Sequence, residues 1–107
     1  HQGNVLFATL FNYDTDGSPL WLVMSGGVRQ ADGSYFGALY STTGPAFNAV
    51  PFNPNAVTRS EAGTATIAFA NGNAASFTYE VNERTQVVLQ TKAITRQVFR
   101  APGTMCQ

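Results

Sequence analysis

The chain is poor in charge. Six Lys or Arg and six Asp or Glu make 11% of its 107 residues, against about 25% in an average soluble domain. They cancel to a formal net charge of zero, which leaves no electrostatic footprint for nucleic acid or an anionic membrane. Lys92 is the only lysine, His1 the only histidine, Trp21 the only tryptophan and Cys106 the only cysteine. A single cysteine excludes a disulfide within these residues. Cys106 is a free thiol, half of an intermolecular bridge, or the partner of a cysteine outside them. With one histidine, at the first position, Ser and Cys nucleophiles lack an internal base. No apolar run approaches the ~20 residues of a membrane-spanning helix, and no stretch carries helical periodicity.

Twelve Thr, eight Asn, six Ser and ten Gly stand where charge is missing. A surface solvated by hydroxyls and amides points to a secreted or cell-surface protein. The chain begins without Met or a signal peptide, as a processed product or an excerpt does. Its length suits one domain, which typically has about 100–150 residues. We expect that domain over residues 1–99, with 100–107 as a flexible tail after Pro102-Gly103.

The dominant period is two. Val5 to Tyr13 and Leu20 to Met24 read as strands joined by the hairpin Asp14-Thr15-Asp16-Gly17-Ser18, where Asp and Gly supply the backbone angles of a tight loop. Gly26-Gly27 reads as a break before a short segment, Val28 to Gln30, and a second hairpin at Ala31-Asp32-Gly33. Tyr35 to Ser41 follows, with Gly37 inside it as a bend or a close backbone approach. From Thr42 to Ala56 the pattern dissolves around Pro45, Pro51 and Pro54. Phe47, Val50 and Phe52 in that loop suggest a lid folded back over apolar surface. Strands resume at Val57–Ser60 and Thr64–Phe69. Asn71-Gly72 is the strongest hairpin signal, and Ala75 to Val81 returns from it. Asn82-Glu83-Arg84 turns the chain into a last strand, Gln86 to Phe99.

Seven or so short strands with tight turns describe an all-β antiparallel meander, a small up-and-down barrel or, alternatively, a two-sheet sandwich. Short turns and the lack of long crossovers favour the barrel. Two early strands are apolar on both faces, with Phe7 and Phe11 opposing Leu6 and Leu10, so an outer cover is expected besides the core: the proline loop, another subunit or a missing segment.

Three stretches carry a resemblance: LFATLFNYDTDGSPLWLVMSGG, GSYFGALYSTTGPAF and TKAITRQVF. Over about Val5 to Phe99 the chain resembles a short β-domain of secreted proteobacterial proteins, often appended C-terminally to exported proteases and without an assigned function. No catalytic motif transfers from it. Members of that family usually begin with a Gly-, Trp- and Asn-rich stretch and a strand just before the position of His1. The resemblance therefore implies that this chain lacks its first strand. The open edges would be filled by the protein's own missing N-terminal strand, by a neighbouring subunit in a homo-oligomer or fibre, or by a local rearrangement.

Candidate chemistry is thin. His1 could chelate copper through its amine and imidazole, but the copper brace of polysaccharide monooxygenases needs a second histidine. Asp14-Thr15-Asp16-Gly17 fails as a calcium loop, with Ser25 where an EF-hand needs Glu. It also fails as an aspartic-protease motif, which requires Asp-Thr-Gly uninterrupted. Asp14, Asp16, Asp32, Glu61 and Glu83 sit in or beside turns, as solvated carboxylates do; Glu80 alone is mid-strand. We expect no catalytic residue, no metal and no cofactor.

The aromatics are the better candidates. Phe is mainly core material, while Trp21, Tyr13, Tyr35, Tyr40 and Tyr79 could line a sugar platform or a pocket for a small ligand. The burial tendency of tryptophan favours the core for Trp21. Lys92 and Arg96 share a strand face with Ile94 and Val98, and a basic residue there snorkels or pairs with Glu80 across strands. The expected function is a non-enzymatic interaction or assembly module, using strand-edge pairing and an apolar patch. Its binding residues are Phe7, Phe11, Tyr13, Trp21, Tyr40, Phe47 and Phe52. The alternative is a module for a glycan or small apolar ligand. A third possibility is a domain that assists folding or secretion of an attached enzyme.

Overall fold

A computed structural model describes residues 1–82 and 86–101. Cys106, the Pro102-Gly103 pair and most of the expected tail and of the turn at 82–84 lie outside the described residues.

Among the described residues the alternation seen in the sequence builds six strands: β1 (Val5–Tyr13), β2 (Pro19–Arg29), β3 (Tyr35–Thr43), β4 (Thr58–Asn71), β5 (Ala74–Asn82) and β6 (Val87–Thr95). They pair antiparallel in chain order as one sheet, which curls into half a barrel. The meander is as expected, and the single sheet leaves no room for the sandwich alternative. Turn chemistry accounts for the hairpins. The Asp14 N–H donates to the Ser18 carbonyl at 2.8 Å, and Gly17 and Gly33 take φ values of +82° and +86° that other residues avoid. After Asn71 the side-chain carbonyl accepts the Asn73 N–H at 2.8 Å.

Four details differ from the expectation. Gly26-Gly27 does not break β2: the register passes from Leu6↔Gly27 to Ala8↔Met24, so a bulge on β2 absorbs the extra residue. Residues 58–71 form one strand instead of two, because a second irregularity at Leu39/Tyr40 takes up Ala62. The last strand stops at Thr95. The proline loop is not a lid: Phe47 is 97% and Val50 95% exposed, and it is ordered locally, by a turn from the Ala49 N–H to the Ala46 carbonyl at 3.0 Å and a 3₁₀ turn, Pro54–Ala56.

One face of the sheet carries the core. Leu6, Leu22, Met24, Tyr35, Leu39, Ala65, Ile67, Ala75 and Val81 are its buried apolar residues among those described, all at alternate positions of their strands. Gly37 provides the expected close approach, since a Cβ there would lie 2.9 Å from Met24 Sδ and 3.0 Å from Gly27 Cα. The core is small and the molecule open. Its radius of gyration is 16.1 Å, against about 13 Å for a compact domain of this length.

Candidate functional site

The geometry of β1 follows from its hydrogen bonds. In an antiparallel pair, both backbone groups of a residue point to the same side, and the side alternates along the strand. The Asn4 carbonyl accepts from Arg29 N–H at 2.9 Å, and Asp14 N–H donates to Ser18. Even-numbered residues of β1 therefore face β2. The odd ones, Val5, Phe7, Thr9, Phe11 and Tyr13, turn their N–H and C=O to the free edge.

One end of that edge is closed and the other half closed. Gln2 bonds both backbone groups of Val5, at 2.7 and 3.1 Å, and the Asn12 side-chain oxygen accepts the Tyr13 N–H at 3.1 Å. Between these caps stands a window of three residues, Phe7, Thr9 and Phe11. The strand around it, VLFATLFNY, holds no charge and no proline, the two devices that usually blunt an edge.

The outer face of the same strands is aromatic. Phe7 is 63%, Phe11 75%, Tyr13 71% and Trp21 64% exposed. Phe11 and Trp21 are register partners, with ring centroids 5.6 Å apart and planes at 84°. This corrects the core placement expected for Trp21: with Leu20, Leu22 and Met24 turned inward, alternation leaves Trp21 outside. Val28 and Phe36 pair on the same face. Tyr40 lies one strand further along, with Arg59 Cζ 5.0 Å above its ring. The structure thus gathers Phe7, Phe11, Tyr13 and Trp21, adds Tyr40 at the margin, and leaves Phe47 and Phe52 on the loop after β3. Further across, the outer face changes character: Phe36 pairs Thr66, Thr66 pairs Thr78 and Thr78 pairs Thr91, a row of hydroxyls.

The inner face opens as a groove of about 280 Å³ between Leu10, Leu20 and Leu22 on one wall and Phe77, Val81 and Val88 on the other. Tyr79 Oη donates to Gln90 Oε1 at 2.5 Å, and Lys92 Nζ lies 5.6 Å from the Tyr79 ring centroid. Of the two arrangements expected for a basic residue on this face, Lys92 does not take the pairing with Glu80. The register sets Glu80 opposite Leu89 and Lys92 opposite Phe77, which puts the two charges on opposite faces.

Compared with protein-family models, with curated proteins and with solved structures, the chain matches none. The functional reading therefore rests on geometry.

The three aspartates are occupied with turns. Asp14 Oδ1 accepts the Thr15 N–H at 2.7 Å, and Asp16 Oδ1 accepts the Ser18 N–H at 2.8 Å. Asp32 accepts the Ser34 hydroxyl at 2.6 Å and the Ser34 N–H at 2.9 Å; these bonds hold its carboxyl below the ordinary range. His1 stacks on Tyr35, with centroids 5.9 Å apart. A wider, more open hollow of about 620 Å³ lies beside it, between Arg29, Asp32 and Phe69. Among the described residues no three His, Cys, Asp or Glu come together, and no helix is long and apolar enough to cross a membrane.

The aromatic patch was legible in the sequence, in the residues that oppose Leu6 and Leu10. The caps on β1 were not. That the turn through Gly3 and Asn4 closes the edge at Val5, and that the Asn12 side chain holds the Tyr13 N–H, follows only from the geometry.

Proposed function

We propose that this chain is a non-enzymatic interaction module, acting outside the cell, that accepts a partner β-strand on the edge of β1. The observation that carries this reading is the three-residue window at Phe7, Thr9 and Phe11, open between two capped ends. Backbone groups there give a partner strand its hydrogen bonds, and alternate side chains give it selectivity, as in other strand-addition complexes. The exposed aromatics of β1 and β2 supply apolar area beside the incoming strand. A charge-poor surface rich in hydroxyls and amides supports the extracellular setting. The family resemblance of the strand sequences fits the same setting.

The test is panning of a displayed nonapeptide library on the immobilised chain. Enriched peptides should be uncharged and rich in alternating β-branched and aromatic residues. Thr9→Pro should weaken their binding by about tenfold or more, since it deletes an edge N–H without touching the β2 ladder. No enrichment, or equal binding to Thr9→Pro, would refute the reading.

The inner groove supports a second reading, a site for a small apolar anion, with Leu and Phe walls for the chain and Lys92 for the charge. Its size lies just below the usual ligand-pocket range of about 300–1,000 Å³. Octanoate should then shift the methyl resonances of Leu10, Leu22 and Val81, and Lys92→Met should weaken that effect; unshifted methyls at millimolar octanoate would exclude it. A sugar platform has less support, because the Phe11 ring stands edge-on to Trp21 and the two make no flat surface.

A further inference from the structure

We infer that the strand taken up by β1 is the β1 of a second copy of this chain, running antiparallel about a two-fold axis between the paired Thr9 residues. This rests on the reading of β1 as a strand-accepting edge. The window is self-complementary. It is centred on Thr9, so the axis sets Phe7 opposite Phe11 of the second copy and Phe11 opposite its Phe7. All three window residues of each copy then present N–H and C=O toward each other, in hydrogen-bonded pairs. The faces also match: Phe meets Phe outside, and Ala8 meets Leu10 inside.

The caps fix the register. Slipping the pair by two residues toward the start of the strand would set Phe11 against Val5 of the second copy, whose backbone groups are bonded to Gln2. A slip the other way would set Phe7 against Tyr13, whose N–H is held by Asn12. Charge opposes nothing, because Val5 to Tyr13 holds no charged residue and self-pairing brings no like charges together. A two-fold contact of this kind is isologous and closes on itself, the commonest symmetry among homo-oligomers.

The opposite edge lacks these features. Arg96 N–H donates to the Asn73 carbonyl at 2.9 Å, so on β6 the free edge belongs to Val87, Leu89, Thr91, Ala93 and Thr95. That stretch is longer, permits several registers and carries no aromatic residue.

Area sets the strength. A standard interface buries about 800 Å² per partner, roughly a tenth of the 8103 Å² this chain exposes. One strand edge with two phenylalanines falls short of that, so the dimer is reversible.

Sedimentation velocity of the 107-residue chain, in reductant and from about 1 μM to about 500 μM, covers the range in which such an interface dissociates. The expected result is a concentration-dependent monomer–dimer equilibrium that Thr9→Pro shifts to monomer, with unchanged near-ultraviolet circular dichroism. Two cysteine variants in a Cys106→Ser background then read the register. Thr9→Cys should cross-link, because directly paired Cα atoms lie about 5.5 Å apart, within disulfide reach. Phe7→Cys should not, because the two copies of residue 7 are offset by about 14 Å along the strands. A monomer at every concentration would overturn the inference, as would a dimer indifferent to Thr9→Pro or equal cross-linking of both cysteine variants. A dimer lost with Thr91→Pro instead would also overturn it, by moving the contact to β6. In each case the peptide panning decides separately whether β1 still accepts a strand.

Discussion

Gly63→Ala is expected to abolish or nearly abolish the fold. Gly63 lies within β4, paired with Val81 of β5 on one side and Leu39 of β3 on the other. A Cβ there would overlap the Glu80 carbonyl oxygen and come within 2.9 Å of Val81 Cα. Both obstacles are backbone, and β5 is held by ladders to β4 and β6, so no side chain can rotate away. Overpacking that only displaces side chains costs about 1–3 kcal/mol; a backbone overlap should exceed that. With about 4–8 °C of melting temperature per kcal/mol for a domain this small, a fall of more than about 12 °C is expected. Thermal melting followed by circular dichroism checks it. A variant melting within a few degrees of the parent would mean that β4 and β5 can separate locally.

Leu39→Ala should be the costliest truncation. Leu39 and Met24 are the largest fully buried side chains, both 0% exposed, and Leu39 lies on β3 in the middle of the sheet. Removing a buried Leu side chain costs about 2–5 kcal/mol, depending on how far the cavity collapses. The upper part of that range is expected, because the neighbouring wall is pinned where Met24 packs against Gly37 and Gly27. Urea unfolding should show a lower midpoint with an unchanged slope. A loss below about 1 kcal/mol would mean that the half-barrel relaxes to fill the space.

These two residues also mark what the sequence made legible. Strand positions followed from period two, but the inward face of β1 did not: Phe7 and Phe11 oppose Leu6 and Leu10, all four are apolar, and only the fold shows that Leu6 is the buried one. The special status of Gly63 was not readable: a glycine amid Ala and Thr looks ordinary until the distance to β5 is known. Trp21 departs from the average burial of tryptophan because the parity of Leu20, Leu22 and Met24 turns it outward, and parity is the stronger constraint in a one-core sheet. The proline loop misled differently. Prolines forbid pairing at 45–54 but supply no force that returns the loop to the sheet. The Lys92–Glu80 pairing needed the register of β5 on β6, which strand patterns alone do not provide.

The capped edge of β1 has one more consequence. VLFATLFNY is the kind of segment that stacks into cross-β fibrils: apolar, rich in β-formers, without charge or proline. Such stacking usually recruits six or seven residues in a row. The fold-back of Gln2 onto Val5 and the Asn12 side chain over Tyr13 leave a shorter exposed stretch, Phe7 to Phe11, with only three residues turned outward. In this chain the backbone of Gln2 and the side chain of Asn12 serve as gatekeepers, the role that lysine or proline plays on most sheet edges.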